Sequence, residues 1–234
     1  MLEKEMKFHL KINNWIGQHT AGTALLIYFI GYMFLGGLIT ASVAPKYTIY
    51  AQLIITIITF LMIIRVSKDY FEKSFVNDTL KGLDKSILLG VYSFLLAVMG
   101  LIFSYLNSLL IQTTTANQES IILSSYANPL ITGFIIILLL PFIEELLFKY
   151  HLFSNTVFLK KHWIIKTFVI AVIFATLHCL SEIVNLNPSI IFSFVNYFIF
   201  YIITNVIYRK YDNLMFSIII HCLYNAVSFI LIFN

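Results

Sequence analysis

The sequence predicts an all-α, polytopic transmembrane helix bundle of about seven membrane helices, with its N-terminus in the cytoplasm. Three observations carry that expectation: solid apolar runs of membrane-crossing length, a scarcity of charge, and a one-sided distribution of the charge that remains. Hydrophobic residues make up 60% of the 234 and charged residues 11%, with a mean hydropathy of +0.90. A soluble domain carries about 25% charged residues, so this chain could not cover a water-facing surface.

A helix needs about 20 apolar residues to cross the hydrocarbon layer. Runs of that order lie at 21–44, 48–64, 86–111, 121–143 (apolar onward to about 159), 163–181, 189–207 and 213–233. They are solidly apolar rather than alternating, which excludes barrel strands. No internal repeat is visible, and the whole chain 1–234 reads as one integral membrane domain. Ala41–Ala44 resembles a signal-peptidase site behind the first run. That run exceeds the about 7–15 apolar residues of a signal peptide and follows a polar tail, so it reads as a retained anchor. Two cysteines give no disulfide framework.

Orientation follows from the basic residues. With the N-terminus inside, all but Lys46 of the 15 lysines and arginines fall in cytoplasmic segments. These are Lys4, Lys7 and Lys11; Arg65, Lys68, Lys73, Lys81 and Lys85; Lys149, Lys160, Lys161 and Lys166; and Arg209 and Lys210. Clusters between apolar runs are topology determinants, not a nucleic-acid patch, so the expected surroundings are lipid bilayer and no nucleic acid. Residues 65–85 form the longest cytoplasmic connection. There Phe71, Phe75, Val76, Leu80 and Leu83 lie among basic residues, and two readings stay open: an interfacial amphipathic helix or a solvated loop.

A membrane interior penalises ionisable groups, so those that remain point to function. All four aspartates lie in connections. The ionisable groups adjoining apolar interior are Glu144 and Glu145, which are consecutive, together with His178 and His221. Glu145 and Lys149 are i and i+4, so they can pair on one helix face, leaving Glu144 rotated about 100° away. His221 and Asn225 share the same spacing, and Phe174 sits one turn before His178. Pro141, three residues before Glu144, removes a backbone hydrogen bond and predicts a local kink. Each group alone has a plain reading as interfacial charge, interhelical hydrogen bond or packing. Glu182, i+4 from His178, could orient it but reads as a loop charge; Asn107, Asn196 and Asn205 read as interhelical hydrogen-bond formers.

Three segments in order carry a family resemblance: Glu144-Glu145-Leu-Leu-Phe-Lys149, Phe174-Ala-Thr-Leu-His178 and His221-Cys-Leu-Tyr-Asn225. They resemble the Glu-Glu-x-x-x-Arg, Phe-x-x-x-His and His-x-x-x-Asn signatures of the CAAX protease and bacteriocin-processing (CPBP) family of intramembrane peptidases. The resemblance makes 121–234 a CPBP-like catalytic core behind the N-terminal membrane helices of 1–120. The family's arginine is Lys149 here, which keeps the charge but loses the planar fork.

The resemblance implies peptide-bond hydrolysis in a membrane cavity open to the cytoplasm. In it Glu144 is the general base helped by His178, Glu145 is held ionised by Lys149, and His221 and Asn225 donate to the tetrahedral oxyanion. The same side chains allow a metal version: either no cofactor is needed, or a single divalent metal such as zinc is held by Glu144, His178 and His221. No His-Glu-x-x-His motif is present, and Cys179 and Cys222 read as small apolar residues. The substrate expected is a peptide or membrane-associated protein precursor, such as a leader peptide, pheromone or bacteriocin. The setting expected from the composition is a multi-pass protein of a bacterial plasma membrane. Two alternatives stay open: a non-catalytic bacteriocin-immunity or regulatory protein on the same scaffold, and a proton-relaying transporter, against which the lack of repeat symmetry counts.

One depth check does not close on sequence. His178 lies about 22 Å from the cytoplasmic start of its run, and His221 only about 12 Å from its own.

Overall fold

The computed structural model describes residues 20–83, 85–111, 116–155 and 161–233. Lys4, Lys7, Lys11 and Lys160, the loop positions 112–115 and the expected helix extension through 156–159 lie outside the described residues. The regular elements among the described residues are all helical. In chain order they are α1 (Thr20–Ser42), α2 (Pro45–Val66), α3 (Lys68–Lys73), α4 (Phe75–Leu83), α5 (Ser86–Leu110), α6 (Ala116–Ala127), α7 (Pro129–Ser154), α8 (Trp163–His178), α9 (Leu180–Val184), α10 (Ile190–Tyr211) and α11 (Leu214–Phe233).

Six of these, α1, α2, α5, α7, α10 and α11, are long and apolar enough to cross a membrane. The side chains facing outward are themselves apolar, among them Phe34, Ile54, Ile87, Phe94, Leu130 and Phe168. That inside-out surface suits lipid rather than water. The chain is therefore a multi-pass helical membrane protein. The run expected at 163–181 is the 16-residue α8, about 24 Å long and shorter than a full crossing.

The run expected at 121–143 is not one helix. It divides at Asn128, whose backbone leaves the helical region (φ −155°, ψ 84°) because a residue before proline is disfavoured there. Asn128 then caps α7 by accepting from the Ile131 N–H at 3.3 Å, with Pro129 at the first helical position. The restart at Pro129 and continuation to Ser154 put Glu144 in the middle of a long helix.

Contacts fix which helix ends share a level. At one end the Arg209 guanidinium stacks on Trp163 at 3.9 Å, Lys85 lies over Tyr211, Lys166 over Phe153, and Tyr70 packs on Tyr150. This end gathers the basic residues of α3, α4, α8 and α10. At the other end the Tyr126 hydroxyl donates to the Ile232 carbonyl at 3.2 Å, and the Thr132 hydroxyl to the Ser124 carbonyl at 2.9 Å. Of the described basic residues, Lys46 alone lies in the α1–α2 turn away from the basic end.

The depth mismatch closes because α11 begins inside the bundle. Asn213, Leu214, Met215 and Phe216 are all buried. A helix start without water must find internal partners for its N–H groups. Asn213 accepts from the Phe216 N–H at 2.8 Å, and Asp78 on α4 accepts from the Leu214 N–H at 3.2 Å. Asp78 also accepts from the Tyr70 hydroxyl, while its carbonyl accepts from the Asn213 amide. The tight turn before α11 uses Asp212 in the left-handed region (φ 45°), which aspartate tolerates.

Among the described residues of 65–85 the helical alternative holds rather than the loop, although the helix is divided. Lys68–Lys73 and Phe75–Leu83 are two short helices, with Phe71 and Phe75 packed on the core and Val76, Leu80 and Leu83 exposed.

Asp78→Ala is expected to lower unfolding free energy by about 1–3 kcal/mol, because the Leu214 N–H is left buried and unpaired; thermal unfolding in detergent measures it. Burial raises the Asp78 pKa, against the opposing Leu214 N–H, Tyr70 hydroxyl and Lys81. The folded chain then binds the proton more tightly than the unfolded one, so this contribution to stability is present below the ordinary carboxylate value. It is lost as pH rises through the raised value. Asp78→Asn should flatten that slope, and an unchanged pH profile would count against it.

Candidate active site

The acidic pair sits where α7 changes its winding. The helix is π-wound at Phe134–Leu139, α-helical at Leu140–Glu145 and π-wound again at Leu146–Ser154. Such wide turns recur at functional sites. In π register the Ile136 carbonyl would accept from the residue five positions on, which is Pro141 and has no N–H. The Asn225 side-chain amide donates there instead, at 2.7 Å. Asn225 therefore supports the proline turn that precedes Glu144, with one amide hydrogen committed to it.

Glu145 and Lys149 pair directly, both almost fully buried. The Lys149 ammonium also donates to the Thr204 hydroxyl at 3.1 Å and lies 5.3 Å from the centre of the Tyr201 ring. The second oxygen of Glu145 is 3.0 Å from His221 Nδ1. A chain of contacts thus runs Thr204–Lys149–Glu145–His221 across α10, α7 and α11. Lysine in place of the family's arginine fits because a compact ammonium suffices for a carboxylate, a hydroxyl and a ring face.

Glu144 points to the other side. Its Oε2 lies 3.7 Å from His178 Nε2 and 3.8 Å from His221 Nε2. The other ring nitrogens are engaged: His178 Nδ1 with the Phe174 carbonyl at 2.9 Å, and His221 Nδ1 with Glu145. A carbonyl and a carboxylate can only accept, so both Nδ1 atoms donate. In the neutral rings both Nε2 atoms are then lone pairs aimed at a carboxylate. Three acceptors face one small space, which a water or a protonated imidazole would satisfy.

The histidines are held in aromatic seats. His178 lies between Phe174 (ring centres 4.2 Å apart) and Tyr197 (4.4 Å), and His221 packs on Phe200 at 4.8 Å. Above them opens a cavity of about 580 Å³, whose lining includes Glu144, His178, His221 and Asn225. That volume lies within the about 300–1,000 Å³ of small-ligand sites. Its wall is bare backbone at Gly100, where a Cβ would meet the Tyr224 hydroxyl at 2.9 Å; that hydroxyl accepts from Asn196 at 3.3 Å.

A zinc set was expected of Glu144, His178 and His221 if a metal were used. Among the described residues no three His, Cys, Asp or Glu side chains are arranged to hold a metal ion. The donors do not fit that group.

Residues 126–227 match the Rce1-like family model, described as type II CAAX prenyl endopeptidase Rce1-like. This is the resemblance carried by the three motifs, and the match spans all of them. No curated protein and no solved structure matches the chain.

All seven expected residues, Glu144, Glu145, Lys149, Phe174, His178, His221 and Asn225, meet within this Rce1-like segment. Thr204, Tyr197 and Phe200 escaped the sequence reading, since a hydroxyl or an aromatic in an apolar run carries no signal of its own. Asn196 and Asn205 make interhelical hydrogen bonds, Asn205 to the Thr167 hydroxyl at 2.8 Å. Glu182, expected as a loop charge, is instead fully buried on α9.

Lys149→Met should destabilise by about 3–5 kcal/mol, because Glu145 is left buried without its cation. The double variant Lys149→Met/Glu145→Gln should recover part of that loss in the same unfolding assay. Asn225→Ala, which strands the Ile136 carbonyl, is expected to cost about 1–3 kcal/mol.

Proposed function

We propose that the protein is an intramembrane endopeptidase of a bacterial plasma membrane. It hydrolyses a peptide bond in a peptide or membrane-associated protein precursor, with water activated by Glu144 and His178. The observation that supports this most is the convergence of Glu144, His178 Nε2 and His221 Nε2 on one space at the inner end of the cavity. The match to a family described as endopeptidases supports the reaction class.

Water between Glu144 and His178 gives a proton to the Glu144 carboxylate as its oxygen adds to the scissile carbonyl carbon. The carbonyl becomes a tetrahedral oxyanion. His221, held by Glu145 at Nδ1, presents an N–H from Nε2 when protonated, and Asn225, which lines the same cavity one turn on, has a second amide hydrogen to donate. The intermediate collapses with cleavage of the C–N bond, and the proton on Glu144 passes to the departing amine. Glu145, fixed by Lys149, orients the His221 ring and offsets its charge. The low-dielectric surroundings strengthen each of these interactions.

Glu144→Gln keeps the shape and removes the base, and cleavage should fall by about 10²–10⁴-fold. Comparative peptide mass spectrometry on cells carrying wild type or Glu144→Gln at matched expression would read this and name the substrate. Identical peptide profiles would move the function to a non-catalytic immunity or regulatory role. Cleavage by purified enzyme should also persist after treatment with a metal chelator.

A further inference from the structure

The helix α4 has three faces. At about 100° per residue, Phe75, Asp78 and Thr79 fall on one sector and turn to the bundle: Phe75 packs on the core, Thr79 is half-buried, and Asp78 is buried against the Leu214 N–H. Asn77 and Lys81 fall on a second sector and are exposed. Val76, Leu80 and Leu83 make the third, and each sector lies about 110° round from the next. These three aliphatic side chains are 67%, 57% and 61% exposed. The apolar face therefore points neither into the bundle nor straight away from it. It points sideways, between a protein face and a polar face.

Sideways at this height is lipid. The membrane-crossing helix α5 rises from the end of α4, and its outward strip begins at Ile87 (85% exposed) and continues through the exposed Val91 and Phe94 at i, i+4 and i+7. Leu83 is four residues before Ile87, so the apolar face of α4 adjoins the lipid-facing strip of α5. The depth agrees. Since α4 meets the start of α11, which is buried inside the bundle, it lies level with the leaflet rather than beneath it. Trp and Tyr gather where a membrane meets water, and Trp163 and Tyr211 stand at this end with Arg209 and Lys85 over their rings. A helix with separate apolar and charged faces is the form that lies in a membrane surface.

We propose that α4 is an interfacial helix: Val76, Leu80 and Leu83 are immersed in the phospholipid leaflet at the basic end, with Lys81 and Lys85 at its headgroups. Basic residues mark the cytoplasmic face of a membrane protein, so this is the cytoplasmic leaflet, whose anionic headgroups suit the lysines. The face turned to the bundle makes the lipid seat matter to the site. Asp78 accepts from the Leu214 N–H, and His221 is seven residues beyond Leu214, about 10 Å along α11. The leaflet thus holds the helix that holds α11 at the height where His221 meets Glu144. The lipid seat is independent of the proposed function; its bearing on His221 as a catalytic group rests on that function.

Spin labels read the seat directly. Val76→Cys, Leu80→Cys, Leu83→Cys, Asn77→Cys and Lys81→Cys are made singly in a Cys179→Ala/Cys222→Ala background and labelled. Each is placed in nanodiscs of mixed phosphatidylcholine and phosphatidylglycerol. If that background fails to fold, the native chain, with Cys179 buried and Cys222 half-buried, carries the same substitutions and its own labelling is subtracted. Oxygen concentrates in lipid and a nickel chelate in water, so the oxygen-to-nickel collision ratio should be at least about fivefold higher at the three apolar positions than at Asn77 and Lys81. An equal ratio at all five marks a water-facing helix and overturns the proposal. Apolar positions shielded from both reagents mark a protein cover, such as a second copy of the chain, and overturn it as well. For the link to α11, Leu80→Ser/Leu83→Ser should speed hydrogen exchange of the Leu214 amide by at least about tenfold in nanodiscs; unchanged exchange overturns that link. Lipid exposure combined with unchanged peptides in Glu144→Gln would remove the peptidase reading and leave the lipid seat standing.

Discussion

The buried pair of Lys149 and Glu145 is the interaction on which the rest of the site depends. Two ions removed from water cost several kcal/mol each unless their partners are close and complete. Here Lys149 meets Glu145, the Thr204 hydroxyl and the Tyr201 ring, and the second oxygen of Glu145 meets His221. These partners come from three helices: Glu145 from α7, Thr204 and Tyr201 from α10, and His221 from α11. The ammonium can be sheltered only if α7 and α10 are pressed together, and the carboxylate completed only if α11 stands at one height. Thus the pair sets the register of the helices that carry the chemistry. It also divides the acidic dipeptide into two unlike groups, with Glu145 bound by a cation and Glu144 left facing imidazoles and open volume.

The second constraint is the recessed start of α11. His221 could not reach Glu144 if that helix began level with its neighbours, since it would lie too shallow by roughly 10 Å. Drawing the start inward strands its N–H groups away from water, a cost that has to be met locally. Asn213 and Asp78 meet it, and Asp78 does so from α4. The two short helices between α2 and α5 therefore have a structural reason to exist. They carry an acceptor into the bundle at the height where α11 needs one.

Much of this was legible in the residues. The apolar runs, the shortage of charge and the three motifs gave the helical membrane bundle and the group of side chains that meets in it. The i, i+4 spacing of Glu145 and Lys149 gave their pairing without any tertiary information. What stayed hidden depends on relations between helices. Hydropathy runs smoothly through Asn128–Pro129, so the division of α6 from α7 shows only in the local geometry that proline imposes. The seat of Lys149 on Thr204 joins residues 55 apart, and the inward shift of α11 depends on an aspartate in a segment that read equally as loop. Glu182 sits near the end of an apolar run, where exposure is the ordinary outcome, yet the fold covers it. The cavity is lined from seven helices at once, α1, α5, α6, α7, α8, α10 and α11, so no single segment encodes it.

The bare wall at Gly100 bears on how such a site could change over time. A methyl group there would push against the Tyr224 hydroxyl and with it the Asn196 amide, narrowing the bore without touching any residue of the acid–histidine cluster. The calibre of the channel is therefore adjustable from a helix that carries none of the chemistry. Selection on what is admitted can proceed separately from selection on what is done to it.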